Sequence, residues 1–275
     1  MAVIKSLTEG FRFALSLKRM APYFILYLVI FSLLTNFLFK AIDIMMGRIG
    51  LFLFFASMGI YVIIFIILTL VALWVNGAIL DQAKYPTKKP IMKSLEYSAS
   101  RFLTMLAAII LYVILAMIIS SIPIIGGILA FLYSLAFFYI YSAIIIDGTG
   151  VIDAFRRSWF VFRKYPLETF ATWFLAGIIS VIIVGVFLLP MLFYMIGGLM
   201  GSFQGLRETL ASTPMTGEIF RTRVMPRVIE VIYSPYFVPY FIIACIGLSF
   251  QTIFVVGTQA RLYINLKKGK PSSEE

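Results

Sequence analysis

Few side chains in this chain of 275 residues could do chemistry. The sequence contains no histidine, one cysteine (Cys245) and twelve aspartates and glutamates. A metalloenzyme needs a cluster of histidines or cysteines, and a serine hydrolase needs a histidine base. Neither site can be assembled from this composition, and no glycine-rich loop ends in the Gly-Lys-Ser/Thr that binds phosphate. The composition therefore predicts a protein that is not an enzyme and that holds no metal or other cofactor.

The remaining candidates are polar side chains within long apolar stretches or at their ends. They are Asn36, Asn76, Asp81, Asp147, Gln251 and Gln259. An amide left unpaired in a bilayer costs several kcal/mol, so Asn36 and Gln251 are expected to hydrogen-bond to another helix. A structural role of this kind is favoured, and the alternative is that the polar groups line a path for a small solute.

The two aspartates occupy matching places near the ends of similar segments, Asp81 in VNGAILDQ and Asp147 in IYSAIIID. Each is expected to pair with an arginine from a basic amphipathic helix, such as Arg12 or Arg156. Such a pair would lock the amphipathic helix to the rest of the protein. The alternatives are an ordinary solvated helix end and a site for an ion or a proton.

The elements that position these residues follow from hydropathy. Hydrophobic residues make up 62% of the chain, charged residues make up 13%, and the mean hydropathy is +1.02. Soluble domains are nearer ~45–50% apolar and ~25% charged. A stretch of about 20 apolar residues can cross a ~30 Å hydrocarbon core, and the chain has several. The sequence therefore predicts an all-α, polytopic transmembrane helix bundle.

Six spans are predicted. The uncharged stretch 102–146 is too long for one span and must fold back, at a turn that contains Pro123, Gly126 and Gly127. The fifth span has Pro190 as a kink or a break. The spans cover about 22–42, 59–80, 102–121, 125–146, a stretch from Thr169 as far as Met200, and 237–260.

The positive charges predict the topology. With the N-terminus inside, 17 lysines and arginines fall in inside segments and six in outside segments. Because cytoplasmic loops carry the excess of positive charge, this predicts a multi-pass cell-membrane protein with both termini cytoplasmic. The net charge of +11 then needs no nucleic-acid partner and suits a bilayer with anionic lipid headgroups.

An internal repeat relates two basic segments. Residues 9–22 align without gaps to residues 153–166, at an offset of 144, and a weaker third copy begins at Pro90. The aligned pairs are Phe11 with Phe155, Arg12 with Arg156, Arg19 with Arg163, and Pro22 with Pro166. A single transmembrane domain over 1–268 is predicted, with a polar tail over 269–275. It would contain three units, over about 4–86, 90–148 and 150–268, each an amphipathic interfacial helix plus a helical hairpin.

The basic segments are typical of helices in the headgroup layer. The N-terminal segment is expected to be such a helix and not a cleavable signal. Lys5, Arg12 and Arg19 recur every seven residues and are expected to share one face. The candidate lipid- or partner-binding residues are Lys5, Arg12, Arg19, Arg156, Arg157 and Arg163. The alternative is that these helices only orient the next span. Segment 201–235 is predicted to be an outside amphipathic segment, either on the outer leaflet or serving as a lid or docking site.

Residues 144–166, IIIDGTGVIDAFRRSWFVFRKYP, also carry a recognisable pattern. The segment resembles a signature of uncharacterised prokaryotic multispan membrane proteins related to the membrane domain of glycerophosphodiester phosphodiesterases. The matching positions are Asp147, Asp153, Ala154, Phe155, Arg157, Ser158 and Trp159. The resemblance implies about six spans built from such units. It implies a fold and not a reaction, because these residues include no counterpart of the phosphodiesterase domain.

Together these features predict a non-enzymatic integral membrane protein that organises lipids or partner proteins at the inner leaflet. Its expected partners are the bilayer with its anionic headgroups and, in one version, another membrane protein. The alternative is a small-solute or lipid permease with a cavity between the units. A third hypothesis is an accessory subunit of an enzyme.

Overall fold

The computed structural model describes residues 2–45, 50–85, 89–210 and 225–268. Within these ranges the regular secondary structure is helical, and no strand occurs in them. The helices are α1 (Ala2–Ala14), α2 (Leu17–Met45), α3 (Leu51–Lys84), α4 (Ile91–Ser120), α5 (Gly126–Ala136), α6 (Ile140–Ile146), α7 (Val151–Lys164), α8 (Pro166–Leu210), α9 (Met225–Tyr233) and α10 (Phe237–Lys268).

Six helical segments are long and apolar enough to cross a bilayer. They are Leu17–Ala41, Phe55–Lys84, Ile91–Ser120, Gly126–Ile146, Pro166–Gly198 and Phe237–Lys267. Large apolar side chains on them, such as Ile63, Ile118 and Val181, are exposed, as expected where lipid is the solvent. The predicted all-α polytopic fold with six spans is therefore confirmed.

The turn after the third span lies where the sequence predicts it. Helix α4 ends at Ser120 and α5 begins at Gly126, with Pro123 between them. Ile124 adopts a positive φ of 68° within this turn. A Cβ at Gly126 would lie 2.7 Å from the Ser120 carbonyl oxygen, so the close approach of the two backbones requires glycine.

Two helices extend past the predicted bounds. Helix α3 is continuous over 34 residues from Leu51. Helix α8 has 45 residues in all and is not interrupted at Pro190. Pro190 therefore does not break the fifth span, since transmembrane helices tolerate proline where other groups satisfy the freed carbonyl. The first ten residues of predicted segment 201–235 belong to α8, and α9 lies near its end. Residues 211–224, and the tail at 269–275, lie outside the described residues.

The fourth span is not one helix, contrary to expectation. Helix α5 ends at Ala136 and α6 begins at Ile140, so the α-helical hydrogen bonding is interrupted over three residues. This break lies among large aromatic side chains, in a stretch that is apolar throughout. Nothing in hydropathy distinguishes it from a continuous helix.

The chain divides into two compact units. The first contains Met1–Tyr23, Leu70–Val181 and Phe250–Glu275, and the second contains Phe24–Thr69 and Ile182–Ser249. The core of the first includes Ile79, Met105, Tyr139, Ile144 and Phe254. In the core of the second, buried side chains include Leu26, Tyr61, Ile183 and Cys245.

Candidate functional site

Helix α1 ends earlier than the basic periodicity predicts. Ala14 is its last residue, and Arg19 belongs to α2. The expectation that Lys5, Arg12 and Arg19 share one helical face is therefore wrong. Lys5 and Arg12 are exposed on α1, whereas the Arg19 Nη1 donates a hydrogen bond to the Phe13 carbonyl oxygen at 2.9 Å. This contact satisfies a carbonyl at the end of α1, where the chain turns into the first span.

The buried face of α1 contains three small residues and Phe13. Ser6, Gly10 and Ala14 are fully buried. A Cβ at Gly10 would lie 2.9 Å from the Thr258 Cα, so the backbones of α1 and α10 are in close contact. Asn265 Nδ2 donates to the Ser6 Oγ at 3.1 Å. Helix α1 is therefore fixed to α10 through a close backbone contact at Gly10, a hydrogen bond at Ser6 and the aromatic side chains of Phe11 and Phe13.

Helix α4 makes a similar contact with α3. Ser94 and Ser98 are fully buried, one helical turn apart. The Ser98 Oγ donates to the Trp74 carbonyl oxygen at 2.6 Å. The Gln82 Nε2 donates to the Ser94 Oγ at 2.9 Å. Hydroxyl groups therefore link the start of α4 to the end of α3.

Helix α7 buries Ala154 and Ser158, again one turn apart. The Ser158 Oγ donates to the Ala136 carbonyl oxygen at 2.9 Å and accepts from the Tyr139 backbone N–H at 3.1 Å. It therefore bridges the two sides of the break between α5 and α6. Gln259 on α10 donates to the Phe138 carbonyl oxygen in the same break. Two side chains thus take the place of the missing helical hydrogen bonds.

Asp147 follows the last residue of α6, and its side chain is only 5% exposed. Three donors converge on its carboxylate: Arg157 Nη1 at 2.6 Å, the Tyr263 hydroxyl at 2.6 Å and Lys267 Nζ at 2.9 Å. Burial by itself would raise the pKa of Asp147, but the hydrogen bonds from Tyr263, Lys267 and Arg157 outweigh it and lower that pKa. The carboxylate therefore stays ionised and links α6, α7 and α10.

The expected pairing of Asp147 with an arginine of an amphipathic helix is present, but the arginine is Arg157 and not Arg156. The Arg156 Nη1 lies 3.9 Å from the Oδ1 of Asp153 on the same helix, and the Arg156 side chain is mostly exposed. The hydrogen bond to Asp147 raises the pKa of Arg157, although burial acts in the opposite direction. The sequence indicated an arginine of this helix but not which of two adjacent ones, because a shift of one residue turns a helix by about 100°.

Asp81 is also buried, and its partner is not on α1. Its carboxylate accepts a hydrogen bond from Lys89 Nζ at 2.5 Å. Lys89 lies just before α4, in the short connection after α3, so this pair closes a local turn. Arg12, the expected partner, is exposed on α1.

The end of α6 collects further donors from other helices. Lys84 Nζ on α3 donates to the Ile146 carbonyl oxygen at 2.7 Å, and the Tyr97 hydroxyl on α4 donates to the Ile145 carbonyl oxygen at 3.2 Å. Cations suit this end because the terminal carbonyls of a helix carry partial negative charge. Sequence reasoning missed Lys84, Lys89, Tyr263 and Lys267. It had no local signal for Lys84, Tyr263 and Lys267, whose partners lie 62 to 120 residues away. Lys89 lies eight residues after Asp81 and was within reach of a local argument.

The mid-span amides bond within the protein. Asn76 accepts from the Tyr23 hydroxyl at 2.5 Å, and Asn36 accepts from the Tyr61 hydroxyl. Both bonds join different helices. Gln251 accepts from Thr252 on the same helix at 3.3 Å, so its expected bond to another helix is not the one present.

Several basic side chains remain on the exposed surface of the short helices. Arg156 and Arg163 on α7 are exposed, as are Lys5 and Arg12 on α1. Large apolar side chains on the same two helices are exposed too, among them Ile4, Phe11, Ile152 and Trp159. Helix α7 therefore has a buried face of small residues, helix α1 has a buried face of small residues and Phe13, and both have exposed surfaces that are basic and apolar.

No group of three or more potential metal ligands occurs in the described ranges. Comparison with known proteins adds no relative, since no protein-family model, curated protein or solved structure matches the chain.

Proposed function

We propose that this integral membrane protein is not an enzyme and that it organises anionic lipids at the inner leaflet of the cell membrane. Helices α1 and α7 would be the binding elements, with both termini in the cytoplasm. The observation that supports this most is the surface of α7. Its small-residue face is fixed to the helical bundle, while Arg156, Arg163 and Trp159 are exposed.

An interfacial helix needs an apolar surface that enters the acyl region and cations that reach the phosphates. Arg156 and Arg163 are seven residues apart and therefore share one side of α7. Ile152 and Trp159, also seven apart, are on the adjacent side and exposed. Because Ser158 and Ala154 anchor the opposite side, α7 presents this surface in a fixed orientation. Each cation near an anionic surface contributes about 1 kcal/mol to membrane attraction.

The charge distribution supports a cytoplasmic position for these two helices. The excess of lysine and arginine in segments that include α1 and α7 favours the cytoplasmic side, where anionic lipids are concentrated. The resemblance of residues 144–166 to multispan membrane proteins supports the fold and carries no reaction with it.

The test is lipid retention by the purified protein in native mass spectrometry. The double variant R156Q/R163Q should bind phosphatidylglycerol more weakly than the wild type, by roughly thirtyfold if each cation contributes about 1 kcal/mol. R156K/R163K, which keeps both charges, should behave as the wild type. R221Q/R223Q removes the same charge from the segment assigned outside and should leave retention unchanged. Equal loss in both neutralised variants would contradict the proposal.

The permease alternative is favoured by one observation, the break between α5 and α6. Discontinuous spans line substrate sites in many transporters. Here the carbonyl oxygens of Ala136 and Phe138 accept hydrogen bonds from Ser158 and Gln259, which supports a structural role for the break. Solute flux into liposomes that is abolished by Q259L would support the permease instead.

A further inference from the structure

Cationic side chains from four helices meet at the end of α6. Three of them already have acceptors there, and these are Lys84, Arg157 and Lys267. The fourth is Arg101 on α4, since a Cβ at Gly148 would lie 3.1 Å from the Arg101 Nη2. The acceptors and Gly148 belong to the consecutive residues 146–148, so the four cations surround one short stretch of backbone.

Arg101 differs from the other three cations because its donors are unused. Its guanidinium makes no hydrogen bond and no ion pair with any residue in the described part of the chain. Its Cζ lies 6.0 Å from the centre of the Tyr97 ring. The Tyr97 hydroxyl is 3.8 Å from the same Cβ position at Gly148 and donates to the Ile145 carbonyl oxygen. Arg101 is therefore partly buried and held between a tyrosine and a glycine without an acceptor.

The acids at this end of α6 do not balance the cations. The four cations share one carboxylate, that of Asp147, and it already accepts three hydrogen bonds. Asp81 is paired with Lys89, whose Nζ lies 4.7 Å from the centre of the Tyr97 ring, so this second acid does not compensate Arg101. The end of α6 therefore carries an excess of positive charge, and a guanidinium with unused donors lies within it.

The position of Arg101 along the chain indicates its depth in the bilayer. It is the last charged residue before the uncharged stretch 102–146, and Asp147 is the first one after it. Lys84 ends the span Phe55–Lys84. Charged groups at the ends of apolar spans lie where the hydrocarbon meets the headgroups, and basic pockets between spans on the cytoplasmic side bind the headgroups of anionic lipids.

We propose that the Arg101 guanidinium binds a phosphate group at the end of α6. The inference rests on the proposed function, because it assigns one specific seat to the phosphate of an anionic lipid of the inner leaflet. A guanidinium suits this ligand because its planar donors match two phosphate oxygens at once. Arg157 and Lys267 stay bonded to Asp147, while the phosphate takes the unused donors of Arg101 and offsets the excess positive charge.

The site differs from the surface of α7 in its burial. The Arg156 side chain is 78% exposed, whereas Arg101 is partly buried. Salt screens the interactions of exposed cations strongly and those of partly buried groups much less. The wild-type protein is therefore expected to keep one phosphate-bearing lipid at a salt concentration that removes the lipids held by Arg156 and Arg163.

The experiment counts the lipids that remain on the full chain after a wash in high salt, by native mass spectrometry. Phosphatidylglycerol is added to delipidated protein. R101Q should lose the salt-resistant lipid, and R101K should weaken its binding by roughly tenfold, since lysine keeps the charge but not the paired donors. K93Q removes an exposed cation from the same helix and should keep that lipid. R156Q/R163Q should lower only the salt-sensitive lipids.

A second arm separates a lipid headgroup from free phosphate. Inorganic phosphate is added at millimolar concentration to the wild type and to R101Q, with and without phosphatidylglycerol. Displacement of the salt-resistant lipid from the wild type would support the phosphate site and identify the free ion as an occupant. Lipid that resists the ion would support the same site with the lipid as its ligand. Salt-resistant lipid that persists on R101Q would overturn the site in either case.

Thermal unfolding separates binding from a structural role of Arg101. In delipidated protein the midpoint of R101Q should stay close to that of the wild type, because the substitution breaks no hydrogen bond or ion pair in the described residues and removes one of several neighbouring cations. Added phosphatidylglycerol should raise the midpoint of the wild type and of K93Q, and not that of R101Q. A midpoint that is lowered equally with and without lipid would overturn the site. Loss of the salt-sensitive lipids in R156Q/R163Q would still support the proposed function.

Discussion

The two buried aspartates hold their surroundings together in different ways. Asp81 accepts one hydrogen bond, from a lysine eight residues further along the chain. Asp147 accepts three, and two of the donors are more than a hundred residues away. The side chains are almost equally buried, at 3% and 5% exposure. Burial of an acid therefore does not indicate its role, whereas the origin of its donors does: one closes a turn, and the other links three helices.

Among the changes that test this comparison, removal of the Asp147 charge should lower the stability of the protein the most. In D147N the two cations lose their carboxylate, and because both are about half exposed they can regain water. We therefore expect about 2 kcal/mol of destabilisation, below the ~3–5 kcal/mol typical of a fully buried pair. The thermal unfolding midpoint in one detergent measures it. D153N, which removes an exposed acid from α7, is the matched control and should leave the midpoint unchanged.

The corresponding change at Asp81 should be smaller. D81N removes one ion pair, and Lys89 can turn its flexible side chain towards water, so about 1 kcal/mol is expected. Thermal unfolding under the same conditions provides the value. If D81N destabilises the protein as much as D147N, the distinction between a local and a long-range role for the two acids is wrong.

The smallest expected effect is that of pH. Acid should lower the stability of the protein through protonation of Asp147, with little change near neutral pH. The pKa of Asp147 is lowered in the folded state, so its stabilisation is complete above the ordinary aspartate pKa of about 3.9. It is lost as the pH falls through the lowered pKa. The midpoint of the wild type should therefore fall below about pH 4 more steeply than that of D147N. Parallel curves for the two proteins would show that the Asp147 carboxylate contributes nothing that depends on its charge.

The features of the fold that the bilayer imposes could be predicted from the sequence. Six apolar stretches of span length predict six helices because a bilayer demands that length. The turn at Pro123 and Gly126 was predictable because an uncharged stretch twice as long as a span must reverse. The break after Ala136 was not, since the side chains that satisfy it, Ser158 and Gln259, lie on other helices.

The sequence identified the polar residues of the candidate site but not the partner of each one. The aspartates and amides were identified because polar groups are costly among apolar residues. Their partners depend on which helices pack together and in what rotation, and an offset of one residue changes the partner, as Arg156 and Arg157 illustrate. The end of α1 was missed for a related reason: the seven-residue spacing of Lys5, Arg12 and Arg19 assumes a continuous helix, and the helix stops before Arg19.

The same two neighbouring arginines test the central claim, that basic residues of the short helices divide between internal links and the bilayer surface. The side chain of Arg156 is 78% exposed, and that of Arg157 is bonded to Asp147. Measuring lipid retention and thermal stability in parallel for R156Q and R157Q keeps charge, helix and substitution identical. R156Q should lose phosphatidylglycerol at an unchanged unfolding midpoint, whereas R157Q should lower the midpoint. Equal effects of the two variants on both quantities would contradict the account.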